Sequence, residues 1–274
     1  MELNLAFQRR VTKIALAAAA DSDFALAGGG ALREHGITHR PTQDIDIFRR
    51  VGDRERFRTA TDSVTTALTE AGYEITQQLA DGGNYARLNV TDGDGNAVMI
   101  DMGEDYRAHD PVTLDIGPVL SRTDSVAAKV ATACTRTYTR DIIDLHYIRA
   151  SGIHTDRELY ELAEGNDPGI DPGLFRHQLG YAYHFAQAEF DEYDVDAAER
   201  ETIVAQLKDF AESLSQIERE RQAPERAPEL FAYTMDEQLR YMDRNDSTSS
   251  PGTRETGQGP SASPPTAEPG GPEL

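Results

Sequence analysis

The chain has 274 residues, with 48 acidic against 27 basic side chains, a formal net charge of −21 and a pI near 4.6. That length holds one large domain or two modest ones, and the acid surplus argues against a nonspecific nucleic-acid coat, which needs clustered Lys and Arg. A single cysteine, Cys134, excludes an intramolecular disulfide, fits no zinc spacing and suits a reducing cytoplasm; no run of about 18 apolar residues marks a membrane span.

Residues 3–20 read as an amphipathic helix, because the alanine-dominated run 14–20 behind Arg9, Arg10 and Lys13 is too short for a signal sequence. Residues 24–27 read as a short strand entering Gly28-Gly29-Gly30, with 31–35 as a helix start. Residues 44–48 alternate polar and apolar, the pattern of a half-buried strand. Phe57, Ala60, Val64 and Leu68 recur at helical spacing, and Gly72 follows as a stop. Residues 85–90 and 97–102 flank the turn-rich Thr91-Asp-Gly-Asp-Gly-Asn96, a hairpin link that makes the sheet at least partly antiparallel.

After residue 120 only helices are expected. Ser121-Arg-Thr-Asp124 fits a capping box before Val126, Val130 and Cys134, and stretches near 156–164, 173–190, 196–222 and 228–243 follow. From about Asp246 the chain is dominated by Pro, Gly, Ser and Thr and cannot bury enough surface to offset its ordering entropy. The pattern predicts an α+β protein: an α/β core with a mixed sheet over 1–120, an all-helical domain over 121–245 and a disordered tail over 246–274. Charge divides along the same line. Residues 1–150 hold 22 acidic and 17 basic side chains, a net of −5, whereas 151–274 hold 26 and 10, a net of −16.

The most informative stretch is Gly28-Gly29-Gly30 followed by Arg40-Pro-Thr42-Gln-Asp44-Ile-Asp46-Ile-Phe48. On a strand, Asp44 and Asp46 project to one side while Ile45 and Ile47 face the core. Carboxylates one pleat apart repel unless a cation sits between them, and hard oxygen ligands of this kind suit Mg²⁺. Glycines at a strand end allow backbone amides to approach a triphosphate closely. Asp101, alone in the apolar Val98-Met-Ile-Asp101-Met102, supplies a third carboxylate on a neighbouring strand. Two ions held by three carboxylates activate a hydroxyl and stabilise leaving pyrophosphate.

Lys129 is one of only three lysines, against 24 arginines, and shares a helix face with Thr132, Ala133 and Arg136. That face could set a positive wall opposite the carboxylates.

These two blocks, the glycine pair with Arg-x-Thr-x-Asp-x-Asp and Lys129 with Arg140-Asp141-Ile-Ile-Asp144-Leu145, resemble the AbiEii/AbiGii toxin nucleotidyltransferases, within the polymerase β-like superfamily. The resemblance covers about residues 24–150; beyond it only length and helical class agree. It implies a polymerase β-like core and transfer of a nucleoside monophosphate from an NTP, with two Mg²⁺ ions, to an acceptor. Several toxins of this kind modify the acceptor end of tRNA, and a cognate antitoxin is the expected partner. It also implies that Asp44 and Asp46 are metal ligands, Lys129 a triphosphate contact and Asp144 a catalytic residue. Gly30 departs from the family, in which Thr is common at that position.

Other readings of the same residues stand beside these. Asp44 and Asp46 suit a solvated strand edge, Asp101 a strand end accepting backbone hydrogen bonds, and Lys129 with Arg136 a surface ion pair. Asp141 suits a helix N-terminal cap paired with Arg140, while Arg40 and Thr42 either position the Asp strand or touch phosphate. The acidic stretch 189–196 reads as a solvated loop or helix start. A nucleotidyltransferase acting on a small hydroxylated molecule such as an antibiotic, and a non-catalytic nucleotide-binding regulator, are the competing functions.

Overall fold

The computed structural model describes residues 5–79 and 83–223, so the helix expected near 228–243 and the tail from 246 lie outside the described residues. Helix α1 (Leu5–Ala18) buries Phe7, Gln8, Val11, Thr12, Ala15 and Leu16, the stripe its sequence spacing requires. Strand β1 (Ala25–Leu26) leads into α2 (Gly28–Glu34), and β2 (Asp44–Arg49) precedes α3 (Arg54–Glu70). The α3 N-terminus is capped by the Asp53 side chain, which accepts from the Arg56 N–H at 2.9 Å. Beyond its C-terminus Gly72 takes φ +90°, the left-handed stop expected there.

Strands β3 (Glu74–Leu79), β4 (Tyr85–Thr91), β5 (Ala97–Glu104), β6 (Val112–Leu114) and β7 (Gly117–Val119) complete the sheet. Its order is β3-β4-β5-β2-β1-β7-β6. The β2–β5 and β1–β7 pairs are parallel and the others antiparallel, so the sheet is mixed, as expected. Its link between β4 and β5 is tied by the Asp92 carboxylate, which accepts from the Asp94 N–H at 3.0 Å and from the Asn96 N–H at 2.9 Å.

Helices α4 (Arg122–Thr135), α5 (Thr139–Ala150), α6 (Asp156–Asn166), α7 (Pro172–Ala182), α8 (Gln187–Asp191) and α9 (Ala197–Gln222) follow. Two hydrophobic cores result. One packs Ile45, Ile47, Leu88 and Ile100 of the sheet against Val11 of α1 and Phe57 of α3. The other gathers Val130, Ile142, Tyr160, Phe175 and Phe210 from the helices and takes in Leu32 of α2. Both lie in one compact unit, Met1–Ala223. Among the described residues no helix is long and apolar enough to cross a membrane.

Several elements differ from expectation. Strand β3 was not visible in sequence because Glu74, Thr76 and Gln77 leave Ile75 as an isolated apolar signal at a sheet edge. The single helix expected over 173–190 is two: Arg200 takes the Phe185 carbonyl at 2.7 Å, and the Glu189 carboxylate takes the Ala186 N–H at 2.7 Å, which starts a new helix. Only half of the Ser121 capping box forms. Ser121 accepts from the Asp124 N–H at 3.0 Å, but the Asp124 carboxylate turns to the N–H groups of Ala108 and His109. The stretch 189–196 ends in a cap, with Asp196 accepting from the Glu199 N–H at 2.9 Å.

Candidate active site

The alternation of β2 puts Asp44, Asp46 and Phe48 on the sheet face opposite Ile45 and Ile47. The parallel register sets Asp46 directly across from Asp101 of β5. One carboxylate oxygen from each of Asp44, Asp46 and Asp101 lies within 4.8 Å of the others, an arrangement that can hold a metal ion. Protein cations meet two of the three from the side. Arg140 Nη1 is 3.4 Å from Asp44, and Arg87 donates Nε and Nη2 to the two oxygens of Asp101 at 2.7 Å each, joined by the Tyr85 hydroxyl at 2.8 Å. Burial, then the Asp44 charge, pushes the Asp46 carboxyl up to about 6, against the pull of Lys129. Three hard oxygen donors with an underpaired charge at their centre fit a divalent cation.

The three glycines form the first turn of α2 instead of a loop ahead of it. Gly28 takes φ +57°, and a Cβ there would overlap the Asp46 carboxylate. On Gly29 a Cβ would come 2.8 Å from the Arg40 guanidinium and 3.0 Å from the Thr42 methyl. Gly30 faces away, against Leu26. The glycine pair therefore lets the α2 turn lie against the carboxylate strand.

Behind the carboxylates is a buried charge network. Arg40 donates Nε and Nη2 to Asp144 at 2.8 and 2.6 Å, and Lys129 Nζ stands 3.0 Å from Asp144 and 3.4 Å from Asp141. Arg136 adds Nε to Asp141 at 3.3 Å. Burial by itself would lower the Lys129 ammonium, but Asp144 and then Asp141 outweigh it and hold it above its usual value. Burial likewise raises Asp144, yet Lys129 and Arg40 more than offset it and hold the carboxyl below the usual range. Asp141 is thus no helix cap. Tyr138 is the N-cap of α5, and the Asp141 side chain turns inward to Lys129 and Arg136 because those two cations converge on it.

A cleft of about 510 Å³ opens between this sheet face and α4. Of the residues singled out in sequence, Gly28, Gly29, Arg40, Asp44, Asp46, Asp101, Lys129 and Arg136 line it. Gly30, Thr42 and Asp144 are not part of that lining. Thr42 is buried and donates its hydroxyl to Gln8 at 3.2 Å, while Gln8 Nε2 reaches the carbonyls of Thr42 and Asp44 at 3.1 and 3.2 Å. It therefore acts on the start of β2 from behind. Arg40 presents its edge to the cleft with one N–H from each of its three nitrogens used on Asp144 and the Pro41 carbonyl.

Sequence reasoning passed over Tyr85, Arg87 and Asp105, which also line the cleft, and gave Arg140 no place in the site. Arg140 sat within the quoted Arg-Asp-x-x-Asp block, which was the available signal. Arg87 and Tyr85 alternate with buried Ala86 and Leu88 on β4, so their face was legible, but their partner was not.

No curated protein matches the chain in sequence. Among solved structures it resembles the nucleotidyltransferase toxin MenT4 from Mycobacterium tuberculosis H37Rv, at 17% identity and TM-score 0.52, over 78% of this chain and 86% of that one. JHP933 from Helicobacter pylori resembles it at 15% identity and TM-score 0.48, over 80% of this chain and 97% of that one. These likenesses concern the fold. The family model of the nucleotidyl transferase AbiEii toxin, of type IV toxin–antitoxin systems, matches residues 14–233. The chain belongs to that family and is a nucleotidyltransferase of toxin–antitoxin type.

Proposed function

We propose that this protein is the toxin of an AbiE-like pair, held in check by a cognate antitoxin in the cytoplasm, and that it moves a nucleoside monophosphate from an NTP to the acceptor end of tRNA. The observation that carries the transfer chemistry is the carboxylate trio within 4.8 Å, facing Lys129 across the cleft. Asp44, Asp46 and Asp101 would hold two Mg²⁺ ions. Metal held there would supply Lewis-acid activation of the attacking hydroxyl and charge stabilisation at the leaving oxygen.

The remaining work falls to the chain's own side chains. The acceptor hydroxyl would give its proton to an ionised carboxylate of the trio as its oxygen bonds the α-phosphorus and the bond from that phosphorus to the β-phosphate's bridging oxygen breaks, and pyrophosphate leaves with growing negative charge. Lys129, Arg136 and Arg140 line the end of the cleft where that charge would collect. Asp144 and Asp141 hold Lys129 from behind, so its ammonium is oriented before substrate arrives. Arg87 and Tyr85 fix the rotamer of Asp101. Gln8 fixes the backbone on which Asp44 stands.

The near-balanced charge of residues 1–150, a net of −5 from 22 acidic and 17 basic side chains, supports tRNA docking on that half and away from the acidic C-terminal side. The net of −16 over 151–274, from 26 acidic and 10 basic side chains, favours a second reading, in which a cationic hydroxylated small molecule is the acceptor. Incubation with α-labelled NTPs, Mg²⁺ and total tRNA separates the two. Label in tRNA that disappears with Asp46→Ala supports the first, and label confined to small molecules from a cell extract supports the second. Equal labelling by both proteins would refute the assigned site.

A further inference from the structure

The cleft has two chemically different ends. Helix α4 runs along it, and its cleft-facing residues Ser125, Ala128, Lys129 and Thr132 pass from one end to the other before Arg136. At the cationic end lie Arg136 and Arg140, the latter 3.4 Å from Asp44. At the other end lie Phe48, Tyr85, Leu120, Ser125, Ala128 and Asp105. Apart from the Tyr85 hydroxyl, which donates to Asp101 at 2.8 Å, this second end makes no contact with the carboxylate trio, and its surface is of another kind.

Phe48 lies two residues beyond Asp46 on β2, and Gly103 two beyond Asp101 on β5, so both keep the face of the carboxylates. Gly103 pairs with Phe48 on one side and with Tyr85 on the other. A Cβ at Gly103 would come 3.3 Å from Phe48 Cδ1 and Cε1 and 3.8 Å from Tyr85 Cδ2. With no side chain there, the two rings settle over the strand as an aromatic floor. Across from them α4 offers the small side chains of Ser125 and Ala128. A floor of rings under a roof of small residues is a slot for a flat, weakly polar group.

Asp105 closes that slot. Its N–H donates to the Arg49 carbonyl at 2.9 Å and extends the β2 pairing one step past the strand. One carboxylate oxygen accepts from the Tyr106 N–H at 2.7 Å. No ion pair reaches it among the described residues, whereas its neighbour Glu104 is paired with Arg49 at 2.8 Å. Burial, offset in part by that Tyr106 N–H, holds the Asp105 carboxyl above the usual range. A half-buried acid without a cation in an otherwise apolar slot is poised for a donor from outside. At a strand rise of about 3.3 Å per residue, Asp105 stands ~13 Å along β5 from Asp101, a separation that a ribose and a base can fill.

We propose that Phe48, Tyr85, Ser125 and Ala128 form the nucleobase slot of the NTP and that Asp105 is its specificity-determining residue, selecting bases with an exocyclic amino group over uracil. The inference rests on the nucleotidyltransferase reading of the carboxylates. An ionised carboxylate only accepts hydrogen bonds, so it meets the amino group of adenine, cytosine or guanine favourably. Uracil would set carbonyl oxygens on either side of its one N–H against the same carboxylate and lose affinity.

The test measures binding of the four α,β-methylene NTPs and of inorganic tripolyphosphate to the full chain by calorimetry in Mg²⁺, for wild type, Asp105→Asn and Ala128→Phe. Wild type should bind at least one amino-bearing NTP about tenfold more tightly than the UTP analogue. Asp105→Asn presents a donor and an acceptor together, and should bring the UTP analogue level with the others while leaving tripolyphosphate binding unchanged. Ala128→Phe should fill the slot and weaken all four NTPs but not tripolyphosphate. Tripolyphosphate binding also reports that each variant is folded. Equal or tighter binding of the UTP analogue by wild type, or an unchanged preference in Asp105→Asn, overturns the assignment of Asp105 and leaves the transferase reading intact. Loss of both NTP and tripolyphosphate binding in wild type would overturn both together.

Discussion

Asp144 receives both Nε and Nη2 of Arg40 at 2.8 and 2.6 Å while standing 3.0 Å from the Lys129 ammonium, so one fully buried carboxylate orients two cations. Its charge matters more than its hydrogen bonds. Asp144→Asn would leave Arg40 and Lys129 buried with Asp141 as their remaining nearby anion, and breaking a buried pair this way costs about 3–5 kcal/mol. Urea denaturation should show a loss of that order, and kcat should fall because Lys129 no longer holds its place. A variant with unchanged midpoint would show that the network is not what supports the site.

The contact of Gly28 with Asp46 gives a sharper test of geometry. Gly28→Ala would put a methyl group onto the carboxylate at a backbone φ of +57°, a conformation that costs a residue with a Cβ roughly 1–2 kcal/mol. The Asp46 side chain would have to move, and displacement on the scale of 1 Å lowers turnover about 100-fold. Gly30→Ala makes the control. Its nearest neighbour is the flexible Leu26 Cδ1 at 3.1 Å, away from the cleft, so activity should stay close to wild type. Equal losses in the two variants would contradict the assigned packing.

Asp46 sets the pH dependence. Its carboxyl is pushed from 3.8 up to about 6 in the fold, chiefly by burial and by Asp44. A group whose folded pKa is raised contributes stability fully below its unfolded value, and that contribution is lost as pH rises through about 6. The metal-free protein should therefore become less stable across this window. Metal binding runs the other way, because the cation needs the ionised carboxylate and must displace a proton below about 6. Calorimetric titrations of Mg²⁺ or Mn²⁺ on either side of that value should show affinity rising with pH and then levelling. Asp46→Asn should remove this dependence.

How much of this could be read from sequence depends on how local each relationship is. Asp44 and Asp46 are two residues apart on one strand, so their common face follows from the period of a pleat. Asp101 stood out as a lone acid in an apolar strand, and Lys129 as a rare lysine. By contrast, the tie between Arg87 and Asp101 exists only through the β4–β5 register, and that between Gln8 and the Asp44 carbonyl joins a helix to a strand 36 residues away. Asp105 was hidden for another reason. It follows Glu104 in an acidic pair that looks solvated, and only the strand ends show that one side chain turns to Arg49 and the other into the cleft.

Arg87 offers the last test, because its two hydrogen bonds to Asp101 bear on orientation and charge in opposite senses. Arg87→Met removes the fork but keeps an apolar stem. Loss of the cation alone would make Asp101 a better metal ligand, whereas loss of the fork lets its carboxylate rotate. The guanidinium is 39% exposed, so its Coulombic pull is screened by solvent. The bidentate geometry is not, and orientation should win. Mg²⁺ affinity should fall about tenfold, as for other residues that orient a metal ligand, with little change in thermal stability. Arg87→Lys restores charge without the fork and should behave like the Met variant. If lysine returned the wild-type Mg²⁺ dependence of activity, charge rather than geometry would be what Arg87 supplies to Asp101.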